Sequence, residues 1–196
     1  EFVTYTGTLE GETVSVTSTG IGGPLTAIAM EELFKAGAHT FIRVGPAAAL
    51  KQRYKAAIWS LQPVRYELRG RAGICSDRVS GSRKPGCDLR TARGSPDQAI
   101  RFHTGVVQSK DSFYGQHEPQ VMPVDYMLQQ HWGAWKKMGC LASEMESAAL
   151  FIVAQYLRVR CGAVFLTMAN QEREVLGLST RSSTTRTWQY ASAWRR

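Results

Sequence analysis

Three consecutive runs decide the architecture: Thr13-Val14-Ser15-Val16-Thr17-Ser18, then Gly20-Ile21-Gly22-Gly23-Pro24, then Thr40-Phe41-Ile42-Arg43-Val44-Gly45. The first alternates β-branched with small polar residues and predicts a strand. Upstream, Phe2-Val3-Thr4-Tyr5-Thr6-Gly7-Thr8-Leu9 has the same character, and Glu10-Gly11-Glu12 between them predicts a hairpin. The glycine run breaks the alternation, and Pro24 suits a first helical position. Ala27, Ile28, Met30, Glu31, Glu32, Leu33 and Phe34 extend a helix that ends near Gly37. The third run is a short apolar strand interrupted by one arginine. Strand, glycine-rich turn, helix and strand in this order predict a βαβ unit.

Working outward, 103–108 reads as a strand and 123–138 as a helix carrying Tyr126, Met127, Trp132 and Trp135. Leu141-Ala142-Ser143-Glu144-Met145-Glu146 leads into the apolar helix that starts at Ser147, and 163–167 is a further strand. Alternating strands and helices predict an α/β protein with a largely parallel sheet covered by helices. Ligands on such sheets sit at the carboxyl ends of the strands.

The chain has 196 residues, a prior for one domain, and a formal net charge of +8. That excess is local. Residues 51–101 hold 12 Lys and Arg against 4 acids, and 175–196 hold 4 Arg and no acid. The remainder is mildly acidic, so the charge is no argument for a nucleic-acid partner. No apolar run approaches the roughly 20 residues of a membrane helix, and Glu1-Phe2-Val3 is no signal peptide, so the expectation is a soluble, cytoplasmic protein. Cys75, Cys87, Cys140 and Cys161 follow no metal-ligand spacing and are expected as reduced thiols.

Three features carry chemistry. Arg43 lies inside an apolar strand, where it needs a partner: a structural ion pair or a bound anion. Glu144 and Glu146 flank Met145 at a strand-to-helix junction, where acids either complement the helix dipole or bind a ligand. Asp111-Ser112-Phe113-Tyr114-Gly115-Gln116-His117 displays a flat ring beside a carboxamide, a combination that suits a nucleobase but is also common in exposed loops.

Together, Ser18-Thr19-Gly20-Ile21-Gly22-Gly23-Pro24, Glu31-Glu32-Leu33, Phe41-Ile42-Arg43-Val44-Gly45, Phe113-Tyr114-Gly115-Gln116 and Ser143-Glu144-Met145-Glu146-Ser147 resemble the nucleoside phosphorylase superfamily and, within it, the bacterial uridine phosphorylases. The resemblance covers 1–45 and 102–178 of a single domain, with 46–101 and 179–196 atypical. It implies a three-layer α/β sandwich around a mixed, partly barrel-like sheet, and dimers assembled into a hexamer. It implies phosphorolysis of uridine to uracil and ribose 1-phosphate, with inorganic phosphate as co-substrate and no cofactor. Arg43 would hold phosphate, Glu146 the ribose hydroxyls with Glu144 beside it, and Met145 would pack on the sugar. Phe113 would stack on uracil and Gln116 pair with its polar edge. A structural monovalent cation would sit near Glu1 and Ile21, although Leu25 replaces one of its ligands. Met168-Ala169-Asn170-Gln171 lacks the acid that purine-specific relatives carry there.

Departures from the pattern are equally specific. The family's early Gly-Asp-Pro loop and a neighbouring subunit's arginine have no counterpart in this sequence. Pro46-Ala47-Ala48-Ala49 stands where the family has a Thr and a glycine-rich turn. Codons for Thr-Cys-Gly-Gly read one base later give Pro-Ala-Ala, so 46–100 is expected to be family sequence in an altered frame, with a second shift after Leu178. Two other readings follow: a catalytically silent homologue that retains only assembly, and a basic nucleic-acid-binding protein.

Overall fold

The computed structural model describes residues 2–54, 59–61, 65–67 and 102–179. Glu1, Cys75, Cys87, most of the basic central segment and the tail from 180 lie outside the described residues, as do the expectations that fall on them.

The hairpin forms as expected. β1 (Val3–Leu9) pairs antiparallel with β2 (Glu12–Ser18), with Thr4 opposite Thr17 and Thr6 opposite Ser15. Glu10 and Gly11 both take positive φ, 51° and 86°, the turn whose twist matches a two-residue hairpin. Hydroxyl pairs Thr4–Thr17 at 2.9 Å and Thr6–Ser15 at 2.8 Å line one face. Val3, Tyr5, Val14 and Val16 line the other and are exposed.

The expected βαβ unit needs correction, because the hairpin is a sheet of its own and β2 has no place in the main sheet. Its alternation explains this. Val14 and Val16 give one apolar face, whereas a central parallel strand is apolar on both.

α1 (Gly23–Lys35) carries Pro24 in its first turn and closes through Gly37, whose φ of 101° lets its N–H reach Phe34 O. Next come β3 (Thr40–Ala49), β4 (Trp59–Leu61), β5 (Arg65–Glu67), β6 (Phe102–Thr104), β7 (Val107–Ser109), α2 (Tyr114–His117) and α3 (Asp125–Lys137). β8 (Ala142–Glu144), α4 (Ser147–Leu157), β9 (Arg160–Ala169) and α5 (Gln171–Glu174) complete the described chain.

The main sheet runs in the order β5-β7-β8-β3-β9-β4-β6. It is mixed, as the resemblance implied, yet most of its described pairings are parallel, as the alternation of elements predicted: only β3–β8 and β4–β9 are antiparallel. Among the described residues it is open, with β5 and β6 at its edges. The strand predicted over 103–108 is two strands. A side chain at Gly105 would lie 2.5 Å from Leu141 Cδ1, and Leu141 N–H donates to Val106 O at 2.8 Å, so the chain is held too close to its neighbour to continue the ladder.

β3 runs past its predicted end at Gly45. It pairs parallel with β9, with an irregularity between Ala47, opposite Thr167, and Ala48, opposite Ala169, and on its other side meets β8 with Ala48 opposite Ser143. Ala47, Ala48, Ala49, Leu50 and Tyr54 are buried, so residues 46–54, expected to be atypical, belong to the folded unit.

One face of the sheet holds the main core. Phe41, Ala47, Cys161, Ala163 and Phe165 project toward Met30 of α1 and Leu150, Phe151 and Val153 of α4. Burying a side chain the size of Phe151 or Phe165 contributes about 1.5–3 kcal/mol. On the other face Ile42 and Val44 are 55% and 59% exposed, so the sheet is not covered on both sides among the described residues. α3 packs near the end of β3, where Leu50, Trp135 and Cys140 make a smaller cluster. Cys140 and Cys161 are buried.

Candidate active site

Strand parity places Arg43 on the covered face, between Phe41 and Ala47. Its Nη2 donates to Glu146 Oε2, its Nε lies 3.6 Å from Glu144 Oε2, and its guanidinium rests on the Phe165 ring at 5.0 Å. Gly45 makes room for it, since a Cβ there would sit 2.6 Å from Nη1. Nη1 itself is buried and has no hydrogen-bond partner among the described residues. The second oxygen of Glu146 accepts the N–H of Gly22 at 2.7 Å, at the start of α1. Gly22 has φ 96°, which only glycine adopts without strain, so the glycine-rich turn serves to aim this N–H.

The two glutamates divide the roles left open for them. Glu144, at the end of β8, caps α4: its Oε2 accepts from the N–H of Glu146 at 3.0 Å and from the N–H and Oγ of Ser147 at 2.8 Å each. Its Oε1 accepts from Ser109 Oγ. It is buried with both oxygens engaged, and Glu146 is the carboxylate turned toward Arg43. Met145 between them is half-buried.

A second cluster begins one residue earlier. Lys110, just after β7, donates to Ser143 Oγ at 2.8 Å and to Gln116 Oε1 at 2.6 Å. Its Nζ lies 5.7 Å from the centroid of Phe113, which is 50% exposed and tilted against His117. Gln116 is braced from α5, with Gln171 Nε2 donating to its backbone oxygen at 3.0 Å. Burial lowers the Lys110 pKa to about 8 against the opposing pull of Glu144 and Glu146. Burial also lowers the His117 pKa, assisted by the charge of Lys110.

Ser143, Glu144 and Glu146 thus bring Arg43 on one side and Phe113 and Gln116 on the other to a single strand-to-helix junction. A cleft of about 490 Å³ opens beside Lys110 and Gln116 toward Trp132, Lys136 and Gln171. Arg43 and Glu146 do not line it. The cation expected near Glu1 and Ile21 falls on one residue outside the description and one exposed side chain. Among the described residues no group of three or more His, Cys, Asp or Glu is placed to hold a metal ion.

Sequence reasoning missed Lys110, and named Gly22 and Asn170 only within the runs 18–24 and 168–171, without the bonds they make. Asn170 is fully buried, donating from Nδ2 to Lys51 O at 2.9 Å and Tyr54 O at 2.7 Å while its Oδ1 accepts from Arg173 N–H. It tethers the 51–54 loop to α5, and its side chain is used up in doing so. A lysine directly after an expected strand and before the Phe113 loop was the available signal for Lys110.

The amino-acid sequence matches the family profile described as Phosphorylase superfamily over residues 1–58 and 66–189, a span that includes 66–101. It is similar to the uridine phosphorylase of Treponema pallidum, 46% identical over 180 residues, covering 91% of this chain and 69% of that protein. The uridine phosphorylase of Thermococcus kodakarensis is 33% identical over 90% of this chain and 65% of its own length. A DeoD-type purine nucleoside phosphorylase of Clostridium beijerinckii is 30% identical over 76% of this chain and 60% of its own length. The chain therefore spans about two-thirds of the length of these curated relatives.

Proposed function

Since the chain belongs to the phosphorylase superfamily, we propose that it carries out the phosphorolysis of uridine to uracil and ribose 1-phosphate. The observation that carries the reading is the divided guanidinium of Arg43. Nη2 is tied to Glu146, while Nη1 is buried with no acceptor among the described residues. A buried donor without an acceptor costs about 1–3 kcal/mol, which an anion bound there would recover. Phosphate is such an anion, and it would be held by charge-assisted hydrogen bonds.

In this reading a phosphate oxygen attacks C1′ as the bond to uracil N1 breaks, through an oxocarbenium-like transition state. Glu146 accepts from a ribose hydroxyl and places its negative charge near the developing cation. Met145 packs on the sugar, Phe113 stacks on the base, and Gln116 pairs with its edge. The contribution is positioning and electrostatics, with no covalent intermediate. Selection of a pyrimidine is supported by Asn170, whose buried side chain offers no acid to a purine. The reading includes a homo-oligomer built from dimers and a cytoplasmic location. No helix among the described residues is long and apolar enough to cross a membrane.

Uracil release from uridine, followed with and without inorganic phosphate, tests this. Turnover that requires phosphate and yields ribose 1-phosphate is expected. Absence of turnover, or release that proceeds equally without phosphate, would overturn it. Sizing in solution checks the assembly.

A further inference from the structure

Lysine has only donors, so its two contacts fix the polarity of everything around it. Gln116 Oε1, 2.6 Å from Lys110 Nζ, must be the acceptor. Ser143 Oγ, 2.8 Å away, must also accept. Its single proton then goes to one of two oxygens at 2.6 Å, the buried Gln108 Oε1 or Gln116 Oε1 itself. The carboxamide of Gln116 is consequently locked with its oxygen inward. Its Nε2 makes only a long contact, 3.4 Å, to Gln171 Oε1 among the described residues, which leaves it available as a donor. Two of the three Lys110 donors are engaged among the described residues, and the third remains beside the Phe113 ring.

We propose that Lys110 is the positioning residue of the base site: it orients Gln116 so that its Nε2 is presented as a donor to a carbonyl oxygen of a pyrimidine, and it sets a positive charge beside the departing base. The proposal deepens the phosphorolysis reading and rests on it. When the C1′–N1 bond breaks, its electron pair goes to uracil N1 and spreads onto O2 and O4. Meanwhile a phosphate oxygen forms the new bond to C1′. The uracil anion later takes its proton from solvent. Hydrogen bonds from Gln116 Nε2 and the nearby ammonium strengthen as that negative charge grows, the condition for accelerating the step. Glu144 and Glu146 face Lys110 from the β8–α4 junction, His117 faces it from α2, and Asp111 adjoins it. Burial outweighs the two glutamates and brings its pKa to about 8, so the charge is present at neutral pH and lost above that.

Lys110→Met keeps the stem and removes the donors, whereas Lys110→Arg keeps the charge. With uridine, Lys110→Met is expected to lower kcat on the order of 100-fold with little change in the KM for phosphate. With 5-fluorouridine, whose base is a more stable anion, the loss should be smaller. The fall in activity above about pH 8 should vanish in Lys110→Met, and Lys110→Arg should recover most of the rate. Calorimetric binding of uracil alone should weaken about tenfold or more in Lys110→Met, the loss of one hydrogen bond to a charged group. Equal losses on both nucleosides, an unaltered pH profile, or uracil binding that is absent in the parent or indifferent to Lys110 would overturn the proposal. Uracil binding that depends on Lys110 without phosphate-dependent turnover would instead overturn the phosphorolysis reading and leave Lys110 at a base site.

Discussion

Arg43 and Lys110 lie on opposite sides of the same two glutamates and are held by different means. Arg43 sits mid-strand in the sheet, fastened by Glu146, by the proximity of Glu144 and by the Phe165 ring. Lys110 sits where a strand gives way to a loop, held by a neutral amide and a hydroxyl. A guanidinium keeps its charge at any pH a protein survives, whereas a buried ammonium titrates within reach of experiment. On the proposed reading the anion side is therefore a fixed charge and the base side an adjustable one.

Arg43→Gln attacks the fixed side and should have the largest effect. It removes the phosphate donor and leaves Glu146 buried without its cation. The expected loss in kcat/KM is on the order of 10²–10³, measured as phosphate-dependent uracil release. Melting temperature should fall as well, because an unpaired buried charge is costly.

Glu144→Gln tests whether the sides are joined. It places an NH2 where donors converge, and should cost about 1–3 kcal/mol of stability by denaturant titration. Phosphate and uracil binding should weaken together.

Gly45→Ala is more selective. Its Cβ would crowd the Arg43 guanidinium at 2.6 Å, so the KM for phosphate should rise by about tenfold while uracil affinity is kept.

The smallest effect separates activity from stability. Unfolded, Lys110 keeps its proton to about 10.5; folded, only to about 8. Between these values the unfolded chain binds more protons, so raising the pH favours the fold. From pH 8 to 10.5 the parent should gain stability relative to Lys110→Met even as its activity declines. Thermal melts of both proteins across this window check the sign.

Much of this was legible in the sequence where one local rule acts alone. The hairpin follows from alternation and a glycine turn, α4 from an apolar run, and the need of Arg43 for a partner from a charge that an apolar strand cannot tolerate unpaired, although not that Glu146 is that partner. What was hidden depends on distant contacts. Nothing local says that β2 leaves the main sheet, that Leu141 crowds Gly105, or that Ala47, Ala49 and Leu50 enter buried clusters where β3 meets β8. Lys110 was passed over because a lysine beside a loop is ordinarily a solvated one, and only the fold brings Ser143 and Gln116 to it. Of the two glutamates, the sequence could not say which caps the helix.

That division has a bearing on how the specificity of such a site could be altered. Because one carboxylate fastens the first turn of α4 to Ser109 and lies against Arg43, the helix cannot slide without disturbing both recognition elements at once. Variation in α4 is thus a blunt instrument, whereas the loop from Lys110 to Gln116 can be rebuilt with the anion cradle left in place. A search for altered base preference belongs in that loop.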